Sequence, residues 1–114
     1  MNDTMNITET PDSWVIVKMV DKDDNTWYKV FASWLEDRWR MNSGIVDIQE
    51  DDSYYYFIGD SGSCYKCHKN GYGFATGYAS DIAQNIISNS YKVDIMTSIM
   101  DSDTDWNQII IKQK

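Results

Sequence analysis

The hydrophobic pattern of this chain changes period once, and that change limits the fold. Up to about residue 69 the apolar residues recur every second position or fill short runs bounded by turn residues. Beyond it, Ala79, Ile82, Ala83, Ile86 and Ile87 fall at the i, i+3, i+4, i+7, i+8 spacing of one helical stripe. Strands followed by a helix, without strand–helix–strand alternation, predict an α+β domain rather than a parallel sheet. The expected architecture is a mainly antiparallel sheet of about five to six strands, a meander in flat, curled or barrel-like form, with one amphipathic helix packed on it.

Residues 1–12 are polar, lack periodicity and contain the only proline, so they read as a disordered tail, with a single domain over 13–114. Ser13 to Val20 is apolar on both alternating faces except at Lys18, which suits a mostly buried strand. Asp21 to Asn25 is a turn, and Thr26 to Trp34 returns as the second strand of a hairpin. Leu35 to Gly44 reads as a charged loop, and Ile45 to Gln49 as a short strand. Ser53 to Ile58, almost wholly aromatic and β-branched, is the strongest strand signal, and Ser63 to Lys69 returns beside it. Thr76 or Ser80 is the expected N-cap of the helix and Asn89 its stop. Tyr91 to Thr97 reads as a sixth strand, although Ile95, Met96, Ile99 and Met100 also fit a helix, and Trp106 to Ile111 reads as a last short strand. Val15, Val17, Val30, Phe57, Ile82 and Ile86 are expected in the core between sheet and helix.

Composition narrows the function. In 114 residues, 42% are hydrophobic, 25% charged and 14% aromatic, the profile of a folded domain of ordinary size. No apolar run approaches the ~20 residues of a membrane span. Ten Lys and Arg against eighteen Asp and Glu leave a net charge of −8, which disfavours sequence-independent binding to phosphate backbones. Two cysteines are too few for a secreted disulfide scaffold, so a reducing cytoplasm is the expected compartment.

Cys64-Tyr-Lys-Cys67-His68 matches the C-x-x-C-H pattern, whose chemistry is haem attachment or metal ligation. Haem attachment needs export. A structural zinc site needs four ligands, and with no other Cys or His to add to Cys64, Cys67 and His68, Asp60 could complete it only if the segment were a tight turn. On a strand, positions 64 and 67 also point to opposite faces. A redox pair would need a helix after the first thiol, where Asn70-Gly71 instead makes a turn. Asp21-x-Asp23-x-Asn25 and Asp101-x-Asp103-x-Asp105 begin like calcium loops. Thr26 and Ala32, or Trp106 and Lys112, stand where the loop requires Gly and Glu. Around His68, Asp60, Ser61 and Ser63 lack a nucleophile-elbow or oxyanion frame. No catalytic residue, metal or cofactor is therefore expected.

The aromatic load carries more weight. Five Trp, eight Tyr and three Phe exceed what one small core hides, and exposed Tyr and Trp are favoured interface anchors. Tyr54, Tyr56 and Tyr65 on the central hairpin are the expected anchors. Asp21, Asp23 and Asp24, with Glu50, Asp51 and Asp52, fall in turns that a simple meander would place on one rim of the sheet. Together they predict a surface for a partner with a basic face. Direct nucleic-acid binding is disfavoured by the scarcity of cations, Lys66 and Lys69 being the only ones beside the tyrosines.

Trp39-Arg-Met-Asn-Ser-Gly-Ile45, Gly62-Ser-Cys-Tyr-Lys-Cys-His-Lys69 with Tyr72-Gly73, and Asp12-Ser-Trp-Val15 with Tyr28-Lys-Val30 resemble a group of small uncharacterised proteins of tailed phages. The resemblance spans Asp12 to Trp106. It implies a phage accessory protein acting in the cytoplasm of the infected host cell, and it carries no site residue across. The expected function is non-enzymatic: binding that inhibits or redirects a host protein handling nucleic acid, such as a CRISPR effector, a restriction enzyme or RNA polymerase. The alternative is a small metal- or nucleic-acid-binding module centred on the 64–69 hairpin.

Overall fold

The strand Ser13–Val20 (β1) is the centre of the molecule because, Lys18 aside, both of its faces are apolar. In the computed structural model, which describes residues 6–111, it pairs antiparallel with Thr26–Trp34 (β2) from Ser13↔Ser33 to Val20↔Thr26. Arg38–Met41 (β3) continues the sheet beyond β2. Tyr54–Gly59 (β5) lies between Ile45–Glu50 (β4) and Cys64–His68 (β6) in a second antiparallel sheet. After β6 come the helix Gly77–Ser90 (α1), a 3-10 turn Tyr91–Val93, the strand Met96–Ile99 (β7) and the helix Trp106–Ile111 (α2). The first sheet has the order β3-β2-β1-β7 and the second β4-β5-β6, and neither closes on itself.

Strand alternation splits the core into two layers. Trp14, Ile16, Tyr28, Val30, Ala32 and Trp34 meet Ile48, Phe57, Tyr65 and Cys67 across the space between the sheets, with Trp106 of α2 added. Val15, Val17, Met19 and Phe31 face the other way, onto Ala79 and Ala83 of α1. The first sheet is therefore covered on both faces, as the doubly apolar β1 requires. Thr76 caps α1 as expected, its Oγ1 accepting from the Ala79 N–H at 3.1 Å.

Several expectations are corrected. The α+β class and the antiparallel pairing hold, but among the described residues seven strands form two stacked sheets rather than one sheet of five or six. The chain changes sheet after β3, where the Asn42 side chain takes over strand pairing by accepting the Val30 N–H at 2.9 Å. Arg38–Met41 is a strand: Arg38 and Arg40 alternate with Trp39 and Met41, and Trp39 stacks on Phe31 at 5.4 Å. Tyr91–Val93 is a 3-10 turn, stopped by Asp94 in the left-handed region at φ 61°. Trp106–Ile111 is helical rather than extended. Val30 and Phe57 pack between the sheets, not against the helix, and Ile82 and Ile86 are only half-buried.

The tail expected over residues 1–12 divides, residues 1–5 lying outside the described residues. Thr8 N–H donates to the Cys64 carbonyl at 2.8 Å, and Lys66 N–H donates to the Glu9 carbonyl at 2.9 Å. Glu9 then reaches Arg40 at 3.1 Å and Arg38 at 3.5 Å. This segment straps the edge of β6 to β3, between the two sheets.

Candidate functional site

The solvent-facing side of the second sheet collects most of the residues that the sequence singles out. Tyr55 and Phe57 turn inward, so Tyr54 and Tyr56 turn out, opposite His68 and Lys66 of β6. The two tyrosine rings lie 6.3 Å apart, the His68 ring meets Tyr54 edge-on at 5.0 Å, and the Lys66 ammonium stands 4.4 Å from the Tyr54 centroid. The Glu50–Asp52 turn closes one end of this face. Tyr65 is different: it alternates inward with Phe57 and is buried, so its expected role as a surface anchor is withdrawn.

Much of the carboxylate charge at this end is engaged within the fold. Asp51 Oδ1 accepts the N–H groups of Ser53 and Tyr54 at 2.9 and 2.8 Å, and its Oδ2 accepts the Tyr56 hydroxyl at 2.7 Å. Those bonds hold the Asp51 carboxyl below its usual range, the Tyr56 hydroxyl contributing most, and the same bond pushes Tyr56 up to about 12. Glu50 accepts from Lys69 at 2.6 Å and from Asn107 of α2 at 2.8 Å. The Lys69 bond lowers Glu50 and raises Lys69. Asp52 is exposed beside them.

The first acidic cluster lies elsewhere. Asp21 closes its own turn, its Oδ1 accepting from Asp23 N–H at 2.9 Å and Asn25 N–H at 3.0 Å. The Asn25 side-chain amide, bonded to Asp21 Oδ2 at 3.0 Å, is the main reason its carboxyl sits low. Asp23 and Asp24 are exposed, Asp24 in the left-handed region at φ 64°. The shared rim expected for the two clusters required a single meander, and the hairpins belong to different sheets. Tyr55 packs 5.9 Å from Trp14, whereas Asp21, just past the end of β1, lies seven residues farther on, about 23 Å away at the usual strand rise. Around Asp21 and Asp24 the structure instead brings Tyr91, Asp94 and Met96. Those residues are absent from the sequence reading because a strand over 91–97 would bury half of them. The interleaved Lys92 and Asp94 were the available signal.

The C-x-x-C-H segment does not converge. Cys67 is buried on the inner face, while Cys64, on the opposite face, is also buried and has its backbone bonded to Thr8 and Glu9. Burial raises both thiols, Cys67 far above its ordinary value, which disfavours the thiolate that a metal would need. His68 Nδ1 accepts the Asn70 N–H at 3.0 Å. Among the described residues, no three His, Cys, Asp or Glu side chains are grouped to hold a metal ion. Of the serines near His68, Ser61 bonds Ser43 at 3.1 Å, and the Ser63 hydroxyl is buried without a partner. No helix among the described residues is long and apolar enough to cross a membrane. Comparison with protein-family models, curated proteins and solved structures gives no match to this chain.

Proposed function

We propose that this chain works by binding another protein, as a phage accessory protein that inhibits or redirects a host protein handling nucleic acid. An anti-CRISPR, an anti-restriction protein or an RNA polymerase modulator would each fit, acting in the cytoplasm of the infected cell. The observation that carries the reading is the Tyr54–Tyr56 face ending at the Glu50–Asp52 turn. Half-exposed tyrosines supply anchors whose burial excludes water, and a net charge of −8 supplies long-range attraction to a basic partner. Because Asp51 is engaged within the turn, Asp52 is the carboxylate free to face a partner.

The test is affinity capture from infected host lysate by the full chain. Tyr54→Ala with Asp52→Lys should abolish retention of the captured protein while leaving the thermal melt nearly unchanged. Raising salt from about 50 to about 500 mM should weaken capture several-fold through slower association. Retention unaffected by the double substitution sinks the reading. Lys66 and His68 beside Tyr54 favour a second reading, base stacking by single-stranded nucleic acid. Fluorescence anisotropy with a labelled oligothymidylate separates the two.

A further inference from the structure

We propose that a groove at the far end of the first sheet docks an extended segment of another protein, carrying an apolar side chain flanked by Lys or Arg. This shares with the reading above only the premise that the chain binds proteins, and it concerns a different surface. The groove, of about 610 Å³, runs between the β1–β2 turn and the link from α1 to β7. It is lined by Val20, Asp21, Lys22, Asp24, Tyr91, Asp94 and Met96.

Two independent features make it a docking surface. The first is unburied apolar area. Of the eight large hydrophobic side chains exposed among the described residues, Tyr91 (56%) and Met96 (63%) line the groove, and Val93 (66%), outside the lining, stands between them in the chain. Such concentration marks an interaction site, where scattered exposed residues would not. The backbone enforces it. Ile95 N–H donates to the Ser90 carbonyl at 3.0 Å and Asp94 N–H to the Tyr91 carbonyl at 3.2 Å, so the turn is tied at both ends and buries none of its own residues. The second feature is charge. Asp21, Asp24 and Asp94 outnumber the single cation Lys22 on the lining. An apolar floor edged by carboxylates selects a segment with cations beside its anchor and rejects acidic ones. A second copy of this chain, at −8, is disfavoured on the same ground.

The probe is the peptide acetyl-Lys-Leu-Lys-Leu-Lys-amide, titrated into isotopically labelled full-length protein and followed by amide chemical shifts. Shifts are expected at Val20–Asp24 and Tyr91–Met96, and the peptide with Glu in place of each Lys should cause none. Asp24→Asn with Asp94→Asn keeps residues that tolerate the left-handed backbone and removes two charges, so binding should weaken about fivefold at low salt. Met96→Ser should weaken it by a similar factor without disturbing the turn. The Tyr54→Ala, Asp52→Lys variant should bind the peptide normally, which separates failure of this site from failure of the tyrosine face. Several outcomes overturn the proposal: no shifts, shifts confined to β5 and β6, groove shifts reproduced by calcium chloride alone, or groove shifts that appear with protein concentration before peptide is added.

Discussion

At the Tyr72 hydroxyl, one oxygen completes the joint between β1 and the residue that follows β7, beside a direct backbone bond. Ile16 N–H donates to it at 3.1 Å, and it donates to the Met100 carbonyl at 2.6 Å, while Met100 N–H reaches the Ile16 carbonyl at 2.9 Å. The ring stacks on Trp106 at 5.7 Å and meets Trp14 edge-on at 4.9 Å. Tyr72→Phe keeps the ring and strands one donor and one acceptor, so urea unfolding should show a loss of about 2 kcal/mol. Burial pushes Tyr72 up to about 12. The neutral phenol is thus favoured in the folded state. Its contribution is full below pH 10, the unfolded value, and is lost as pH rises through 12. Tyr56 titrates in the same window because of Asp51, so Tyr72→Phe should reduce the alkaline loss of stability without removing it. In the sequence, Asn70-Gly71-Tyr-Gly73 reads only as a break. A hydroxyl that completes a ladder depends on which strands meet there, and local pattern holds no trace of that.

Elements were legible where both faces of a segment follow from its own residues. β1, β2, β5, β6 and α1 announce themselves by alternation or by the helical stripe. β3 and α2 do not. Arg38 and Arg40 look like loop residues until Arg38 is seen 3.6 Å over the Trp34 ring and Glu9 arrives to pair both. In α2, Ile109 to Ile111 favour a strand by propensity, and the burial of Trp106 between the sheets overrides them. The helix α1 shows why its expected large core residues are only half-buried. Ala79 and Ala83 are its buried residues, in the layer with Val15, Val17, Met19 and Phe31, whereas Ile82 and Ile86 pack against that layer only partly buried. Size is therefore limited at the alanines. Ala83→Leu should cost about 1–3 kcal/mol in denaturant melts by overfilling the layer between α1 and the first sheet. Stability unchanged by that substitution would mean that the helix–sheet contact is loose.

On the scale of the whole molecule, the division into two core layers depends on one shared sheet. Nothing in the sequence distinguishes a continuing meander from one that folds a second sheet over the first, because the strand signals are the same in both. The separation of the two acidic turns follows from that choice, as does the inward turn of Tyr65. Trp106 gives the clearest test of how the layers depend on each other. It is buried against Trp14, 6.2 Å between ring centroids, and joins the inter-sheet layer from a helix that packs on β4. Trp106→Ala removes a large buried ring from that layer and should cost about 3–5 kcal/mol. The helix layer lies on the other side of the first sheet and is reached through Tyr72, which stacks on Trp106 and packs against both layers. Because β1 and β2 contribute one face to each layer, loosening the inter-sheet side also frees the strands on which α1 packs. Near-UV circular dichroism, reporting the packed aromatics, and far-UV circular dichroism, reporting backbone structure including α1, should therefore move together to a lower midpoint in one transition. Two separated transitions, with backbone signal surviving loss of the aromatic signal, would show that the four-stranded sheet and its helix fold without the second sheet.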